Sequence, residues 1–270
     1  MFPLLFEVGP VSIYSYGLLL ATAYLVGLWY ASVRARKRGL DANRVTDLGI
    51  YIIISALVGA KLLLVVVEFD HLRRDPSEIW NLLRSAGVFY GGLLLAVAVA
   101  FWYMRRHRLP VWTTCDAFAP GIALGQAVGR IGCLMAGCCY GTPTDLPWGV
   151  TFTNPLAAAN VGTPLDVSLH PTQLYESAAV LAILGILLLA ERRGASFPGR
   201  TFWSYLLLYP CARFAIEFFR GDPRGTAFEV LSTSQLVSLL LIPLSIVMLI
   251  VLRRSSPPDP TSRVSTARAA

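Results

Sequence analysis

The sequence predicts an all-α, polytopic integral membrane protein with seven transmembrane helices, its N-terminus outside and its C-terminus cytoplasmic. Three observations predict it. Hydrophobic residues make up 55% of the 270-residue chain and charged residues only 14%, where a soluble domain carries roughly 25% charged residues. The apolar residues come in blocks rather than in alternation, and most blocks reach the ~17–25 residues that take a helix across ~30 Å of hydrocarbon. The basic residues concentrate in alternate loops, as cytoplasmic loops do.

The blocks run in order over Val11–Val33, Val45–Val67, Gly87–Met104, Phe118–Met135, Gln173–Ala190, Thr201–Phe219 and Leu236–Leu252. The fourth is rich in glycine and the weakest of the seven as a span. No basic residue precedes the first block in MFPLLFEVGP, which argues against a cleaved signal peptide. The loops after spans one, three and five and the C-terminal segment hold fifteen of the 23 Lys and Arg, including Arg34, Arg36, Lys37, Arg38 and Arg44. The opposite side holds Arg73, Arg74, Arg84, Arg220 and Arg224. The net charge of +7 is thus a topology signal spread over four segments, and a nucleic-acid partner is excluded on that ground. The chain divides into a single seven-helix membrane domain over residues 1–254 and a Pro/Ser/Thr-rich tail over 255–270, expected to be disordered and cytoplasmic. The longest loop, about Ala136–Thr172, has no Lys or Arg and is expected to pack on the outer face of the bundle.

Three cations remain inside spans: Lys61, Arg130 and Arg213. Each would cost at least ~2.5–3.5 kcal/mol at mid-bilayer, so they must face the bundle interior with partners. The inferred topology puts the polar intramembrane residues at one depth, toward the outside: Tyr16, Lys61, Tyr90, Arg130, His170 and Glu176, with Arg213, Glu217 and Arg220 climbing span six. Gln126, Arg130, Cys133 and Gly137 step by four, three and four along one helix face, as do Tyr209, Arg213, Glu217 and Arg220. Glu217 can pair with Arg213 or Arg220. An ion-pair ladder on span six accounts for that stripe but leaves Arg130 and Lys61 without an evident partner. Counting Lys61, Arg130, Arg213 and Arg220 against Glu176 and Glu217 gives surplus positive charge, which suits an anionic substrate such as a lipid phosphate in the bilayer.

The segment GRIGCLMAGCCYG, residues 129–141, carries three of the five cysteines. Cys133 and Cys138 are five apart and Cys138 and Cys139 are adjacent, neither being the spacing of a C-x2-C metal pair. Small, soft residues that allow helices to approach are the preferred reading of the cysteines and of glycines 129, 132, 137 and 141, with a turn out of the membrane near Gly137. A Cys133–Cys138 disulfide or a catalytic thiol is the alternative.

These residues resemble a known family. AVGRIGCLMAGCCYG is similar to the signature segment of the prolipoprotein diacylglyceryl transferases, HPTQLYE (170–176) to a motif at the start of a later helix, and YPCARFAIEFFRGDP (209–223) to the penultimate-helix motif. GPVSIYSYGLLL resembles the first-helix motif, and GVFYGGLL matches the third-helix motif in part. The resemblance implies a seven-helix enzyme of the bacterial cytoplasmic (inner) membrane, its active site facing the periplasm or exterior. Such an enzyme moves the diacylglyceryl group of phosphatidylglycerol to the lipobox cysteine of a prolipoprotein signal peptide, forming a thioether and releasing glycerol phosphate, with no metal and no organic cofactor. It implies catalytic roles for Arg130, Arg213, Glu217 and Tyr16, and substrate-binding roles for Gly141, His170, Glu176, Tyr209 and Arg220; the shared depth and helix faces add Lys61 and Gln126 as substrate-binding candidates and Tyr90 as a catalytic one. Cys133 stands where the family signature has asparagine, Cys138 at a usually acidic position, and Tyr90 where the FHGG motif has histidine, so the identity of the base stays open, His170 being one alternative. The competing classes are an anion or phospholipid transporter using the same cationic cavity, and a membrane thiol oxidoreductase resting on Cys138 and Cys139. Transporters tend to show inverted repeats and mid-bilayer breaks, and no repeat is evident in this sequence.

Overall fold

The computed structural model describes residues 2–8, 11–74, 79, 87–193, 197–222, 226–227 and 231–256. Arg84 and Arg224, used above for orientation, lie outside the described residues, as does the tail beyond Ser256. The order of elements is β1 (Leu4–Val8), β2 (Val11–Tyr14), α1 (Ser15–Lys37), α2 (Ala42–Val67), α3 (Phe69–Arg74), α4 (Phe89–Arg106), α5 (Val111–Ala136), β3 (Val150–Thr151), α6 (Pro155–Val161), β4 (Ser168–Leu169), α7 (Thr172–Arg193), α8 (Arg200–Glu217), β5 (Thr226–Ala227), β6 (Leu231–Ser232) and α9 (Thr233–Ser255).

Among the described residues five helices are long and apolar enough to cross a bilayer: α1, α2, α5, α7 and α9. The other two predicted spans are helical as well, but α4 and α8 have 18 residues each. Arg105 and Arg106 end α4, while Arg213 and Glu217 lie within α8, so their apolar character is diluted. The first predicted span differs at its start. Val11–Tyr14 pairs antiparallel with Leu4–Val8, and helix begins only at Ser15, whose N–H and hydroxyl both donate to the Pro3 carbonyl. β-branched Val11 and Ile13 suit a strand as well as a span, and block hydrophobicity does not separate the two.

The chain forms two compact units, one of residues 1–31 with 115–270, the other of residues 32–114. In the first, α1 lies against α5 along a seam of small residues. Ala23, Gly27 and Ala31 face Gly121 and Gly125: a Cβ on Gly27 would lie 2.9 Å from the Gly121 carbonyl oxygen, and one on Gly125 2.8 Å from that of Ala23. With lipid as apolar as the side chains, such close backbone approach is what holds membrane helices together. Ala119 and Ala123 of α5, Val180, Ile183 and Leu187 of α7 and Tyr205 of α8 form a buried core. Asp116 on α5 is fully buried and accepts from the Gly199 and Phe202 amides, 2.8 Å each. It thereby supplies the anionic cap that the first turn of α8 lacks in its own sequence. Ser232 and Gln235 close a capping box at the start of α9.

In the second unit α2 and α4 pack on each other through Gly59, Gly91 and Gly92 with Ala56 and Ala60, and the Val88 amide donates to the Ala60 carbonyl at 3.0 Å. The glycines of GVFYGGLL are therefore packing residues. Asp41 caps α2, and the Arg44 guanidinium donates to the His107 carbonyl at 3.2 Å.

Candidate active site

Glu176 is the hub. It sits in the first turns of α7, almost fully buried, where only paired charges are tolerated. Its Oε1 takes the Arg130 guanidinium of α5 at 2.7 Å, the Tyr209 hydroxyl of α8 at 2.8 Å and the Gln126 amide at 3.3 Å. Gln126 in turn accepts from the Tyr205 hydroxyl at 2.5 Å, and the Tyr205 and Tyr209 rings stack at 5.8 Å. The Glu176 Oε2 faces Arg220 at 3.9 Å. Arg130, which the sequence left without a partner, thus meets a carboxylate from another helix. Gln126 and Arg130, four apart on α5, reach the same carboxylate, as the expected face requires.

Arg220 does not join Glu217. The α8 helix ends at Glu217, so the three-residue spacing no longer stacks the two side chains. Arg220 instead makes a bidentate pair with Asp222, 2.8 and 2.9 Å. Burial opposes its charge, but the Asp222 bonds and the neighbouring Cys139 hold its pKa above the ordinary arginine value. Asp222 also corrects the charge count. In this unit Arg130, Arg213 and Arg220 face Glu176, Glu217 and Asp222, three cations against three anions, while Lys61, the fourth cation of the sequence count, belongs to the other unit.

Arg213 has its own partners. It forms an ion pair with Glu217 one turn on and donates to Ser234 of α9 at 3.2 Å, while Ser234 donates to Glu217 at 2.7 Å. Tyr209 lies within Coulombic reach of both Arg130 and Arg213. Of the three arginine side chains Arg130 is the most accessible, 19% exposed against 6% for Arg213 and 2% for Arg220.

Three motif segments are knitted together at the ends of these helices. The Gly141 amide donates to the His170 carbonyl, the His170 amide to Thr142, the Thr142 amide to Phe219 and the Gly221 amide to Tyr140, all within 2.9–3.1 Å. Gly141 also bridges to Arg220, and a Cβ there would meet the His170 and Phe219 carbonyl oxygens at 2.5 and 2.7 Å, so only glycine fits. The His170 Nδ1 lies 3.1 Å from the Tyr175 hydroxyl, which accepts from Trp148, and the His170 ring packs edge-on to Phe219.

α5 ends where the sequence predicts, at Gly137 with φ +84°. Beyond it the chain folds back, and the sulfurs of Cys133, Cys138 and Cys139 come within 4.8 Å of one another, none of the three in a disulfide. Tyr16 on α1 is 40% exposed, lies against Gly132 and is within Coulombic reach of all three cysteines. Lys61 and Tyr90 belong to the second unit, Lys61 on α2 with a partner of its own and Tyr90 half-exposed on α4. Sequence reasoning missed Tyr205, Asp222, Thr172, Gln173 and Ser234. Thr172 and Gln173 lie inside HPTQLYE, whose ends alone were singled out.

Comparison with known proteins decides the family. The family model described as "Prolipoprotein diacylglyceryl transferase" matches residues 3–251. The chain belongs to the prolipoprotein diacylglyceryl transferase family. Among its curated relatives, the phosphatidylglycerol–prolipoprotein diacylglyceryl transferase of Clostridium tetani is 38% identical over 242 residues, covering 90% of this chain and 94% of the relative. The enzyme of that name from Synechococcus elongatus is 34% identical and covers 94% and 90%. Enzyme 2 of that name from Clostridium perfringens is 33% identical and covers 87% and 90%. The family match contains every segment that builds the Glu176 hub.

Proposed function

We propose that this chain transfers the diacylglyceryl group of phosphatidylglycerol to the lipobox cysteine thiol of prolipoproteins, forming a thioether and releasing glycerol phosphate. The observation that carries the proposal is the convergence of Arg130 and Arg220, from two family motifs, on Glu176 from a third. The enzyme is a multi-span membrane protein. We further propose that it sits in the bacterial inner membrane as one seven-span domain over residues 1–254 with a cytoplasmic tail, its site toward the periplasm or exterior.

The hard step is the departure of a phosphate oxygen carrying its bonding electrons. Preorganised cationic donors in a water-poor site stabilise such charge strongly, because nothing must reorient as it develops. Arg130, the most accessible guanidinium, contacts the phosphate. Glu176, Gln126 and Tyr209 fix its orientation, and Arg220 backs the same carboxylate. Arg213, locked by Glu217 and Ser234, adds a fixed positive end to the site beside Tyr209. Tyr16 donates to the headgroup or to the acceptor, and His170 and Gly141 shape the entrance. A free thiol has a pKa near 8.5, so forming its thiolate at neutral pH takes only about 2 kcal/mol, small beside carbon–oxygen cleavage.

The test is purified protein with labelled phosphatidylglycerol and a lipobox peptide. A diacylglyceryl mass increment on the peptide cysteine, absent from a Cys→Ser peptide, is the expected result. A peptide that stays unmodified while the protein moves or binds the lipid would refute the reading in favour of a transporter.

A further inference from the structure

Cys133, Cys138 and Cys139 take no part in the chemistry above, yet they stand beside it. Arg130 precedes Cys133 by three residues on one face of α5, and Gly141, two residues after Cys139, bridges to Arg220. The Arg220 guanidinium hydrogen-bonds the Cys139 sulfur. The turn that carries the thiols is held on purpose. Three consecutive carbonyls each accept from a side chain: Gly137 from the Thr163 hydroxyl at 3.0 Å, Cys138 from the Gln173 amide at 2.7 Å and Cys139 from the Thr172 hydroxyl at 2.6 Å. Thr172 and Gln173 are fully buried. Cys139 adopts φ +65°, a left-handed conformation that glycine would take without strain. Packing asks neither for that strain nor for three sulfurs turned toward one another within 4.8 Å.

The three thiols are not equivalent. Cys133 is buried on the last turn of α5, whereas Cys138 and Cys139 are half-buried in the turn beyond it. Hydrogen bonding to Cys133 and Cys138, and then the Arg220 guanidinium, hold the Cys139 thiol below the ordinary cysteine range, although burial opposes it. A reachable thiolate with a second thiol close by is the arrangement of an oxidation-sensitive cysteine. Cys138 is a poor partner for it. The two are neighbours in the chain, and Cα atoms about 3.8 Å apart across a trans peptide fall short of the about 4.4–6.8 Å that a disulfide spans. The Cys138 thiol also donates to the Cys133 carbonyl at 3.7 Å. Cys133 is the remaining partner.

We propose that Cys139 is a site of oxidation by hydroperoxides, that it closes a disulfide with Cys133, and that this bond lowers transfer until a dithiol reduces it. The effect on transfer rests on the transferase reading above. So does the supply of oxidant, since the periplasm and the exterior are where disulfides form and persist. Arg220 links the bond to the site. Its guanidinium meets Cys139, pairs with Asp222 and faces Glu176 at 3.9 Å. Drawing the Cys139 sulfur to Cys133 takes one acceptor from Arg220. It also pulls on the turn whose carbonyls Thr172 and Gln173 hold, and these two open the helix that carries Glu176.

The chemistry balances in two steps. The Cys139 thiolate attacks one peroxide oxygen, the O–O bond breaks, and the leaving oxygen departs with the bonding pair and takes up a proton. Cys139 is then a sulfenic acid. The Cys133 thiol attacks that sulfur, the S–S bond forms, and hydroxide leaves to combine with the Cys133 proton as water. Two thiols have lost two electrons, and the peroxide, reduced to an alcohol or water, has gained them. A dithiol reverses the change by exchange and ends as its own disulfide.

The experiment uses the full chain purified in detergent and treated with hydrogen peroxide or cumene hydroperoxide. Free thiols are blocked, disulfides are reduced, and the thiols so released take a second label. Cleavage after Met135 separates Cys133 from the adjacent pair, and fragmentation of each piece reads which cysteines carry that label. The expected result is second label on Cys133 and Cys139 and none on Cys138. Transfer to the lipobox peptide should fall about tenfold to a hundredfold, the scale of a lost hydrogen bond to a charged group, and return with dithiothreitol. C139S, measured against its own untreated rate, should lose the sensitivity, while C115S with C211S, outside the cluster, keeps it. Thiols that stay free, second label on Cys138, or sulfinic acid at Cys139 without a disulfide overturns the proposal and leaves the transferase reading standing. So does a complete Cys133–Cys139 bond with transfer undiminished. That bond in a protein that transfers no lipid in either state upholds the oxidation site and removes the transferase reading instead. The mapping needs no variant, so a C139S chain that fails to fold does not blunt the test.

Discussion

Arg213 meets its carboxylate on its own helix, one turn away, whereas Arg130 meets Glu176 across two helices. The first pair forms as soon as α8 does and needs only Ser234 of α9 to complete it. The second exists only when α5, α7 and α8 are packed, since Gln126, Tyr205 and Tyr209 share it. A local pair reports that a helix has formed; a pair between helices reports that the site has assembled. In a hydrocarbon solvent both are held by the cost of leaving either member alone, about 3–5 kcal/mol when one partner of a buried pair is removed.

Glu176→Ala separates the two cases most sharply. It should lower stability by about 3–5 kcal/mol and abolish transfer, because Arg130 loses its partner and Arg220 its second anion. Thermal melting in detergent alongside the peptide assay measures both, and unchanged melting would break the comparison. Arg130→Ala should cost about 10²–10³-fold in transfer with a smaller effect on melting, since Glu176 keeps Tyr209 and Gln126. Equal losses of stability from both substitutions would deny Arg130 a specific role. At Arg213, Glu217→Leu alone should cost about 3 kcal/mol, while Arg213→Met with Glu217→Leu should recover most of it. Recovery of melting without recovery of transfer would assign Arg213 to the chemistry and not only to the helix. Gly27→Ala touches neither arginine but opens the α1–α5 seam, and about 1–3 kcal/mol is expected from overpacking. Smallest is Asp116→Ala, at about 1–2 kcal/mol for the lost cap of α8. Its effect on transfer should follow the melting shift alone.

The same contrast explains what the sequence made legible. The Arg213–Glu217 pair is written in an i,i+4 spacing, and the shared face of Gln126 and Arg130 in another, so both could be read directly. Five spans announced themselves by length and apolarity, and the turn at Gly137 by its glycine. Glu176 as the common anion could not be read, because that needs the packing of α5 on α7, where the Ser177 hydroxyl bonds the Ala127 carbonyl. Asp222 escaped because it follows a helix and has no periodicity to mark it. The N-terminal hairpin was hidden inside an apolar block that suits strand and span equally. The thiol cluster is the clearest instance. Spacings of five and one argue against a metal pair on a regular helix, but positive φ at Gly137 and Cys139 reverses the chain and brings the sulfurs together.

The bond between Asp116 and the amides of Gly199 and Phe202 also bears on how the protein is made. Synthesis runs from the N-terminus, so α5 is inserted well before residue 199 leaves the ribosome. An acceptor is thus waiting when the start of α8 emerges, and that helix can be anchored at its first turn without a capping side chain of its own. A chain lacking the Asp116 carboxylate would offer the later segment no such mooring.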